Sequence, residues 1–259
     1  MLKFAANLTM LFNEMPFLDR FAAAAEAGFK GVEFLFPYAF EKQQLVETVR
    51  KTGLIVALHN LPAGNWEAGE RGIACNPDRV SEFRAGVERA IEYATALGCR
   101  QVNCLAGIPP TDIDAGQARD TFIENLRHAA PRLKDAGILL LIEPVNTRDI
   151  PGFFLNHTKQ ALDIIDEVGS DNLKLQHDIY HMQVMEGNLL PTIEANLPRI
   201  AHMQVADNPK RNEPGTGEIN YRFLFREIER LGYDGWIGCE YKPAGDTKAG
   251  LGWLRSIAA

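Results

Sequence analysis

Acidic and amide side chains end four short apolar segments in the second half of the chain. Each of these segments is typical of a buried strand, and the polar residues are Glu143, Asp178, Gln204 and Glu240. Three converging carboxylates repel one another unless protons or a cation compensate their charge. Because all four residues offer oxygen, the set favours Mg²⁺ or Mn²⁺ over Zn²⁺. The alternative is that each is only a polar residue at a strand end.

The two glutamates indicate acid–base chemistry on a small hydroxy-carbonyl acid. Isomerising an α-hydroxy carbonyl removes a proton from one carbon and returns a proton to its neighbour. Glu143 and Glu240 are the candidate groups for these transfers, and a divalent metal would stabilise the intermediate enediolate. A 1,2-hydride shift is an alternative route that the sequence leaves open.

Other polar residues near predicted strand ends are candidates for binding the substrate. His181 lies one short turn after the sixth strand, where it can donate to a substrate oxygen or bond to the backbone of a helix start. His59 ends the third strand and is either a substrate contact or a buried core histidine. Arg71, in the following loop, can hold a carboxylate through two hydrogen bonds. Lys242, after the eighth strand, can neutralise an acidic substrate or pair with a ligand carboxylate.

Short apolar segments alternate with amphipathic helical segments along the chain. The apolar segments are residues 3–8, 31–36, 54–60, 101–106, 138–143, 173–178, 200–205 and 235–240. Several are uninterrupted, as parallel strands buried on both faces are. The helical segments are 16–27, 77–97, 117–136, 158–168 and 221–231, and each is followed by a glycine that signals a helix end. Eight such units without a nucleotide-binding glycine motif predict an α/β fold, a (β/α)₈ TIM barrel rather than an open sheet.

Two connections, residues 61–76 and 207–220, are unusually long. Both follow the carboxyl end of a strand, which is the catalytic face of such barrels. Trp66 in the first loop can shield a site from water, and Lys210 and Arg211 in the second can neutralise an acid. For these residues and for Arg71, a solvated position on the surface is the alternative.

Composition limits the classes of function. With 259 residues, 46% of them hydrophobic, the chain is expected to form one domain over 1–259. The net charge of −7 and the lack of a long basic run argue against nucleic-acid binding. No apolar stretch is long enough for a membrane span and no leader is recognisable, so the cytoplasm is the simplest location. The four cysteines form no CxxC pair. The expected partner is a small-molecule hydroxy-carbonyl acid, and a homo-oligomer is left open.

Longer motifs, spread from the first strand to the last, carry a family resemblance. They are FAANLTMLFNE, GVEFLFPY, HNLPAGNWEAGERGIAC, LLIEPVNTRDIPGFFL, LQHDIYHMQVMEGNL, HMQVADNPKRNEPGTGEINY and GWIGCEYKP. With them the chain resembles the hydroxypyruvate isomerase family, within the xylose-isomerase-like TIM barrel superfamily. The resemblance covers nearly the whole chain.

The resemblance implies interconversion of hydroxypyruvate and 2-hydroxy-3-oxopropanoate (tartronate semialdehyde), with Glu143 and Glu240 as the catalytic pair. It also implies that these two, Asp178 and Gln204 hold the metal, although the superfamily often has His at the Gln204 position. Whether the metal is required stays open. A sister group isomerises 2-oxo-tetronates, which have one more carbon, and shares the site. The remaining alternatives are a related epimerase, a metal-dependent nuclease and a non-catalytic sugar-acid-binding barrel.

Overall fold

A closed barrel of eight parallel strands forms the centre of the protein. The computed structural model describes residues 1–257. The strands are β1 (Lys3–Asn7), β2 (Gly31–Phe34), β3 (Ile55–Asn60), β4 (Gln101–Cys104), β5 (Leu139–Ile142), β6 (Leu173–Asp178), β7 (Ile200–Gln204) and β8 (Trp236–Cys239). Each pairs with the next along the chain, and β8 pairs with β1 to close the sheet. This confirms the predicted (β/α)₈ TIM barrel. The predicted single domain extends to residues 258–259, which lie outside the described range.

Helices connect the strands and cover the barrel. Within residues 1–257 they are α1 (Asp19–Glu26), α2 (Lys42–Thr52), α3 (Val80–Leu97), α4 (Ala115–Asp135), α5 (Thr158–Val168), α6 (Ile179–Met185), α7 (Leu189–Asn196), α8 (Tyr221–Arg230), α9 (Thr247–Gly250) and α10 (Trp253–Ser256), with 3₁₀ turns at Pro77–Arg79 and Leu197–Arg199. Every predicted helical segment overlaps one of them, with α4 beginning two residues before its predicted segment, and the glycine after each predicted segment has a positive φ. None of these helices has the length and apolar character that crossing a membrane requires.

The first helix begins later than predicted. The sequence favours a start near Pro16, but α1 begins at Asp19. The backbone N–H of Asp19 bonds to the carbonyl of Pro16, and that of Arg20 to the carbonyl of Phe17. These three-residue steps are tighter than those of an α-helix, so the segment enters α1 through a turn.

The two catalytic candidates lie just beyond their strands. β5 ends at Ile142 and β8 at Cys239, so Glu143 and Glu240 are the first residues past the sheet. Pro144 follows Glu143 and has no N–H to extend the ladder of β5. Each glutamate is therefore anchored by a rigid strand but placed at the barrel mouth.

Polar side chains cross the interior of the barrel below this mouth. Nε2 of Gln101 on β4 lies 2.9 Å from Nδ1 of His202 on β7. Nε2 of His202 lies 2.7 Å from a carboxylate oxygen of Glu33 on β2. Because β7 neighbours neither β4 nor β2, these contacts span the barrel rather than follow its wall. The interior is thus held by hydrogen bonds where many such barrels pack branched apolar residues.

Two glycines hold the long loop after β3 against the loop after β4. A Cβ on Gly107 would lie 2.2 Å from the carbonyl oxygen of Gly72, closer than any side chain permits. Nearby, the N–H of Cys75 donates to the carbonyl of Ala106 at 2.9 Å. This close backbone approach fixes the course of the loop that carries Trp66.

We expect Gly107→Ala to destabilise the protein more than Gly98→Ala. Both glycines have a positive φ, 97° and 66°, but a Cβ on Gly98 would meet nothing within 4 Å. The left-handed conformation penalises alanine at both sites, whereas overpacking adds about 1–3 kcal/mol at Gly107 alone. The free energies of unfolding in urea provide the measurement. Equal losses of unfolding free energy in the two variants would show that the loops shift to accommodate the added methyl group.

Candidate active site

Four titratable side chains meet at the carboxyl-end mouth of the barrel. They are Glu143, Asp178, His181 and Glu240, and one potential ligand atom from each lies within 4.8 Å of the others. All four are buried. The three acids come from the ends of β5, β6 and β8, and His181 comes from the first turn of α6. The predicted acids are therefore brought together, and His181 joins them.

The carboxylate of Asp178 has two separate environments. Its Oδ1 accepts hydrogen bonds from the N–H groups of Tyr180 and His181, at 2.8 and 3.3 Å, and so caps α6. Its Oδ2 is buried and has no hydrogen-bond partner within residues 1–257. One oxygen fixes the side chain, and the other is free to contact a ligand in the mouth.

Burial and mutual repulsion make the acids reluctant to ionise together. Burial raises the pKa of Glu143 well above its usual range, and the charges of Glu240 and Asp178 raise it further. Burial also raises the pKa of Glu240 to about 8 and that of Asp178 to about 6, although the charge of Arg211 opposes both shifts. Without another positive charge, the site therefore retains protons near neutral pH.

Arg211 is the cation that reaches this cluster. Its Nη2 lies 2.9 Å from Oε2 of Glu240, its Nη1 lies 3.7 Å from Asp149, and its guanidinium carbon lies 5.1 Å from the Tyr180 ring centroid. Burial alone would lower the pKa of Arg211, but the charges of Glu240 and Asp178 raise it overall. Its Nε is buried without a hydrogen-bond partner in the described part of the chain, so one donor remains for a ligand.

The loop after β7 is folded around one carboxylate, which places Arg211. The oxygens of Asp207 accept hydrogen bonds from four backbone N–H groups of the same loop, those of Asn208, Gly215, Gly217 and Ile219. Arg211 itself has a φ of 60°, in the left-handed region that non-glycine residues seldom adopt. The hydrogen bonds of Asp207 thus stabilise a loop that holds Arg211 in a strained conformation over the mouth.

His181 is oriented as a hydrogen-bond donor. Its Nδ1 accepts from the backbone N–H of Asn146 at 3.4 Å and lies 2.6 Å from that residue's side-chain nitrogen. Because a backbone N–H only donates, the proton of a neutral ring belongs on Nε2. That atom lies 3.6 Å from Asp178 and 3.9 Å from Glu143. Burial and two nearby arginines lower the pKa of His181 well below its usual value, so the ring is neutral.

The carboxylate oxygens of the cluster are suitable ligands for a hard divalent cation. The carboxylates of Glu143, Asp178 and Glu240 supply charge, and the unpartnered Oδ2 of Asp178 supplies a free oxygen. Oε2 of Glu143 is held by Nδ2 of Asn103 at 2.8 Å, which leaves Oε1 for the mouth. Oxygen ligands of this kind suit Mg²⁺ or Mn²⁺, and a protonated Nε2 does not make His181 a ligand.

Gln204, the fourth predicted ligand, lies beside the cluster in a polar network. Its Nε2 donates to Oε1 of Glu33 at 2.7 Å, and its Oε1 accepts from Nε2 of Gln176 at 2.7 Å. The sequence reasoning missed Glu33, Gln176 and Asn103. The signal for Glu33 is a polar residue inside the otherwise apolar strand GVEF at 31–34, whereas Gln176 and Asn103 lie in strands that hold other polar residues and so give no distinct signal.

A cavity of about 80 Å³ opens at this mouth. It is lined by Asn7, Met10, Glu33, Phe34, Leu35, Leu58, Asn60, Trp66, Leu105, Glu143, Val145, Ile150, Gln176, His181, Gln204, Arg211 and Glu240. The polar groups lie beside an apolar wall, the usual composition of a small-molecule site.

Three of the predicted substrate contacts lie elsewhere among the described residues. Nδ1 of His59 faces the carbonyl of Asn60 at 3.1 Å, and this buried ring is not among those lining the cavity. Arg71 stacks on Trp66 at 4.3 Å and donates to backbone carbonyls, so it supports the tryptophan that lines the cavity. The side chain of Lys242 is exposed outside the cavity. His59 is held within β3, and the loops that carry Arg71 and Lys242 place their side chains outside the acidic cluster.

Lys210 and the cysteines do not line the cavity either. Lys210 is exposed, in contrast to its neighbour Arg211. The four cysteines are buried as free thiols, among them Cys104 and Cys239 in the strands, where they pack as small apolar groups.

Fold and site together define a (β/α)₈-barrel protein with a buried acidic site beside an arginine. The chain belongs to the xylose isomerase-like TIM barrel family, whose sequence model matches residues 21–257. It is 56% identical over 254 residues to the hydroxypyruvate isomerase of Escherichia coli (strain K12), covering 98% of each chain. It is 49% identical to the 2-oxo-tetronate isomerase of Cupriavidus necator, covering 98% of this chain and 97% of that one.

A solved structure shows the same fold in detail. The crystal structure described as an AP endonuclease, family 2, from Brucella melitensis has a TM-score of 0.96 and 46% sequence identity, and the match covers 99% of each chain. The barrel and its long loops are therefore shared with a relative of very similar backbone.

We expect divalent-cation binding at neutral pH to release protons. The raised pKa values mean that the free site holds protons on its carboxyl groups, and a cation favours the ionised forms. Apparent Mn²⁺ affinity should therefore rise between about pH 6 and pH 8. Calorimetric titration with Mn²⁺ in buffers of different ionisation enthalpy measures the protons released.

Glu240→Gln provides the matched control for proton release. It removes one of the groups that lose a proton, so fewer protons should be released per cation bound. A wild-type enthalpy that does not depend on the buffer would contradict the expected linkage.

Proposed function

We propose that this protein interconverts hydroxypyruvate and 2-hydroxy-3-oxopropanoate. The chain is a sugar-acid isomerase by its high identity to relatives of that class over nearly its full length. The observation that carries the particular reaction is the meeting of Glu143 and Glu240 at one small cavity next to Arg211. The two glutamates suit the reactive carbon pair of a three-carbon substrate, and the guanidinium of Arg211 suits its carboxylate.

The proposed reaction moves hydrogen between neighbouring carbons. One glutamate removes a proton from C3 of hydroxypyruvate, which gives an enediolate spanning C2 and C3. The other helps return a proton to C2, while the proton on O3 is lost and O2 gains one, so no atoms or electrons are added. Because the two carboxyl groups offer oxygens within 4.8 Å of each other, both can reach adjacent carbons of one ligand. A hydride shift between the same carbons is the alternative route.

Glu143, Asp178, Gln204 and Glu240 are the residues that we propose to hold Mg²⁺ or Mn²⁺. When bound, the cation supplies positive charge that stabilises the negative oxygens of the enediolate.

Arg211 and His181 are proposed to orient the substrate. The free Nε of Arg211 and its neighbouring Nη2 can present two parallel donors to a carboxylate. The proton on Nε2 of His181 points between Asp178 and Glu143, from where it can donate to a substrate oxygen. Among the basic residues that the sequence suggested for an acidic substrate, Arg211 is thus proposed for this role in place of Arg71 and Lys242.

The apolar wall of the cavity is proposed to exclude water. Met10, Trp66, Leu105, Val145 and Ile150 line the same cavity as the polar groups. A low-dielectric wall strengthens the charge interactions of the mouth and protects a reactive enediolate from bulk solvent.

A second candidate is isomerisation of a four-carbon 2-oxo-tetronate. Relatives that carry this name are 42–49% identical to the chain over nearly its full length. The larger substrate presents the same carboxylate and the same pair of neighbouring oxygens, so the polar groups accept either.

Removal of either proposed acid–base group should nearly abolish turnover. We expect Glu143→Gln and Glu240→Gln each to lower kcat by roughly 10²–10⁴-fold, because a carboxamide cannot accept a proton. The rate of hydroxypyruvate isomerisation gives kcat, and circular dichroism verifies the fold. Glu167→Gln is the matched control, since Glu167 lies on the surface in an ion pair with Arg119. Near-normal turnover of either active-site variant would remove that residue from the mechanism.

A substrate panel separates the two candidate functions. We expect the highest kcat/KM for hydroxypyruvate, a lower value for 2-oxo-tetronates, and little turnover of dihydroxyacetone, which has no carboxylate for Arg211. Repeating the panel with a chelator tests the need for a cation. A preference for the tetronates would favour the second candidate, and rapid turnover of dihydroxyacetone would contradict the role of Arg211.

A further inference from the structure

We infer that Glu33 is a positioning residue that turns the amide of Gln204 so that its carbonyl oxygen serves the cation site. This inference rests on the proposed cation site. Glu33 lies on β2, across the barrel from Gln204 on β7, and both line the cavity. The Glu33 side chain is fully buried.

All of the described partners of the Glu33 carboxylate are hydrogen-bond donors. Oε1 accepts from Nδ2 of Asn7 at 2.9 Å and from Nε2 of Gln204 at 2.7 Å. Oε2 lies 2.7 Å from Nε2 of His202. Gln101 approaches the other nitrogen of His202 with its amide N–H₂, which leaves the imidazole proton on Nε2. A carboxylate that receives three donors is a fixed acceptor.

The neighbouring strand holds Glu33 in this place. A Cβ on Gly238 of β8 would lie 2.2 Å from Oε1 of Glu33, so the carboxylate packs directly against the β8 backbone. Gly238 is two residues before Glu240, on the strand that delivers that ligand. The position of Glu33 is therefore set relative to the cation site and not by a flexible loop.

A fixed acceptor gives the Gln204 amide a direction. An amide has an N–H₂ donor side and a carbonyl acceptor side, and an ionised carboxylate pairs only with the donor side. The Gln204 nitrogen consequently faces Glu33, and its carbonyl oxygen is directed away from Glu33. That oxygen accepts one bond from Gln176 and has a second lone pair. Hard cations bind a carbonyl oxygen and not an amide nitrogen, so this direction makes Gln204 a ligand.

Glutamine at position 33 would lose this control. Its own amide can present either a donor or an acceptor, so Gln204 could turn its nitrogen towards the cation. Residues that orient metal ligands typically change metal affinity by about 10- to 100-fold when substituted. We expect Glu33→Gln to weaken Mn²⁺ binding by that range, measured by calorimetry or by the electron paramagnetic resonance of free Mn²⁺ without substrate.

Glu33→Asp separates orientation from charge. Aspartate keeps the negative charge but is one methylene shorter, so it withdraws from the Gln204 nitrogen. Orientation predicts weaker Mn²⁺ binding in this variant too, whereas charge alone predicts wild-type affinity. Glu167→Gln, which removes a surface carboxylate paired with Arg119, is the control and should bind Mn²⁺ as the wild type does.

The exchanged pair Glu33→Gln with Gln204→Glu completes the test. The new glutamine can donate to the new glutamate, which keeps the net charge of the pair and again directs an oxygen to the site. We expect this double variant to recover Mn²⁺ affinity, and it decides the matter if a single variant does not fold.

The role of Glu33 would be overturned if Glu33→Gln or Glu33→Asp bound Mn²⁺ with wild-type affinity. It would also be overturned if the exchanged pair failed to fold or to recover Mn²⁺ affinity. If the wild-type protein itself did not bind Mn²⁺, the proposed cation site would fall, and this inference with it.

Discussion

The burial of like charges at one end of the barrel is the constraint on which the site depends. Taking one carboxylate out of water costs several kcal/mol, and neighbouring negative charges add to that cost. Glu143, Asp178 and Glu240 are nonetheless buried together. The strands supply the rigidity that prevents their separation, and Arg211 supplies part of the missing positive charge. The acids therefore form a site prepared for a positively charged or proton-donating ligand.

The structure compensates this cost with hydrogen bonds that also orient the side chains of the site. Asn103 binds one oxygen of Glu143, the N–H groups at the start of α6 bind one oxygen of Asp178, and Asn146 determines which nitrogen of His181 carries a proton. In each case the protein holds one atom of the side chain and leaves the other for a ligand. The network below, through Glu33 and Gln204, follows the same rule. Preorganisation of this kind removes the need to reorient dipoles during reaction.

The long loops provide what the strands cannot. The loop after β7 wraps its backbone N–H groups around Asp207 and holds Arg211 in a left-handed conformation above Glu240. The loop after β3 is fixed by the contact of Gly72 with Gly107 and brings Trp66 to the cavity. Strained and closely packed loop residues of this type occur where geometry serves a ligand. The site thus combines acids on strands with a cation and an apolar cover on loops.

The sequence by itself determined the barrel and three of its acids. Uninterrupted apolar runs indicate buried parallel strands, and glycines mark the ends of the helices. A residue at the carboxyl end of a barrel strand lies at the mouth, and Glu143, Asp178 and Glu240 meet there. Only the tertiary structure decided that Arg211, and not Arg71 or Lys242, reaches these acids, because the course of a loop depends on bonds such as those of Asp207. It also decided the places of Glu33 and Gln176 and the tautomer of His181. Those depend on contacts between residues far apart in the chain, and such contacts leave no local signal in the sequence.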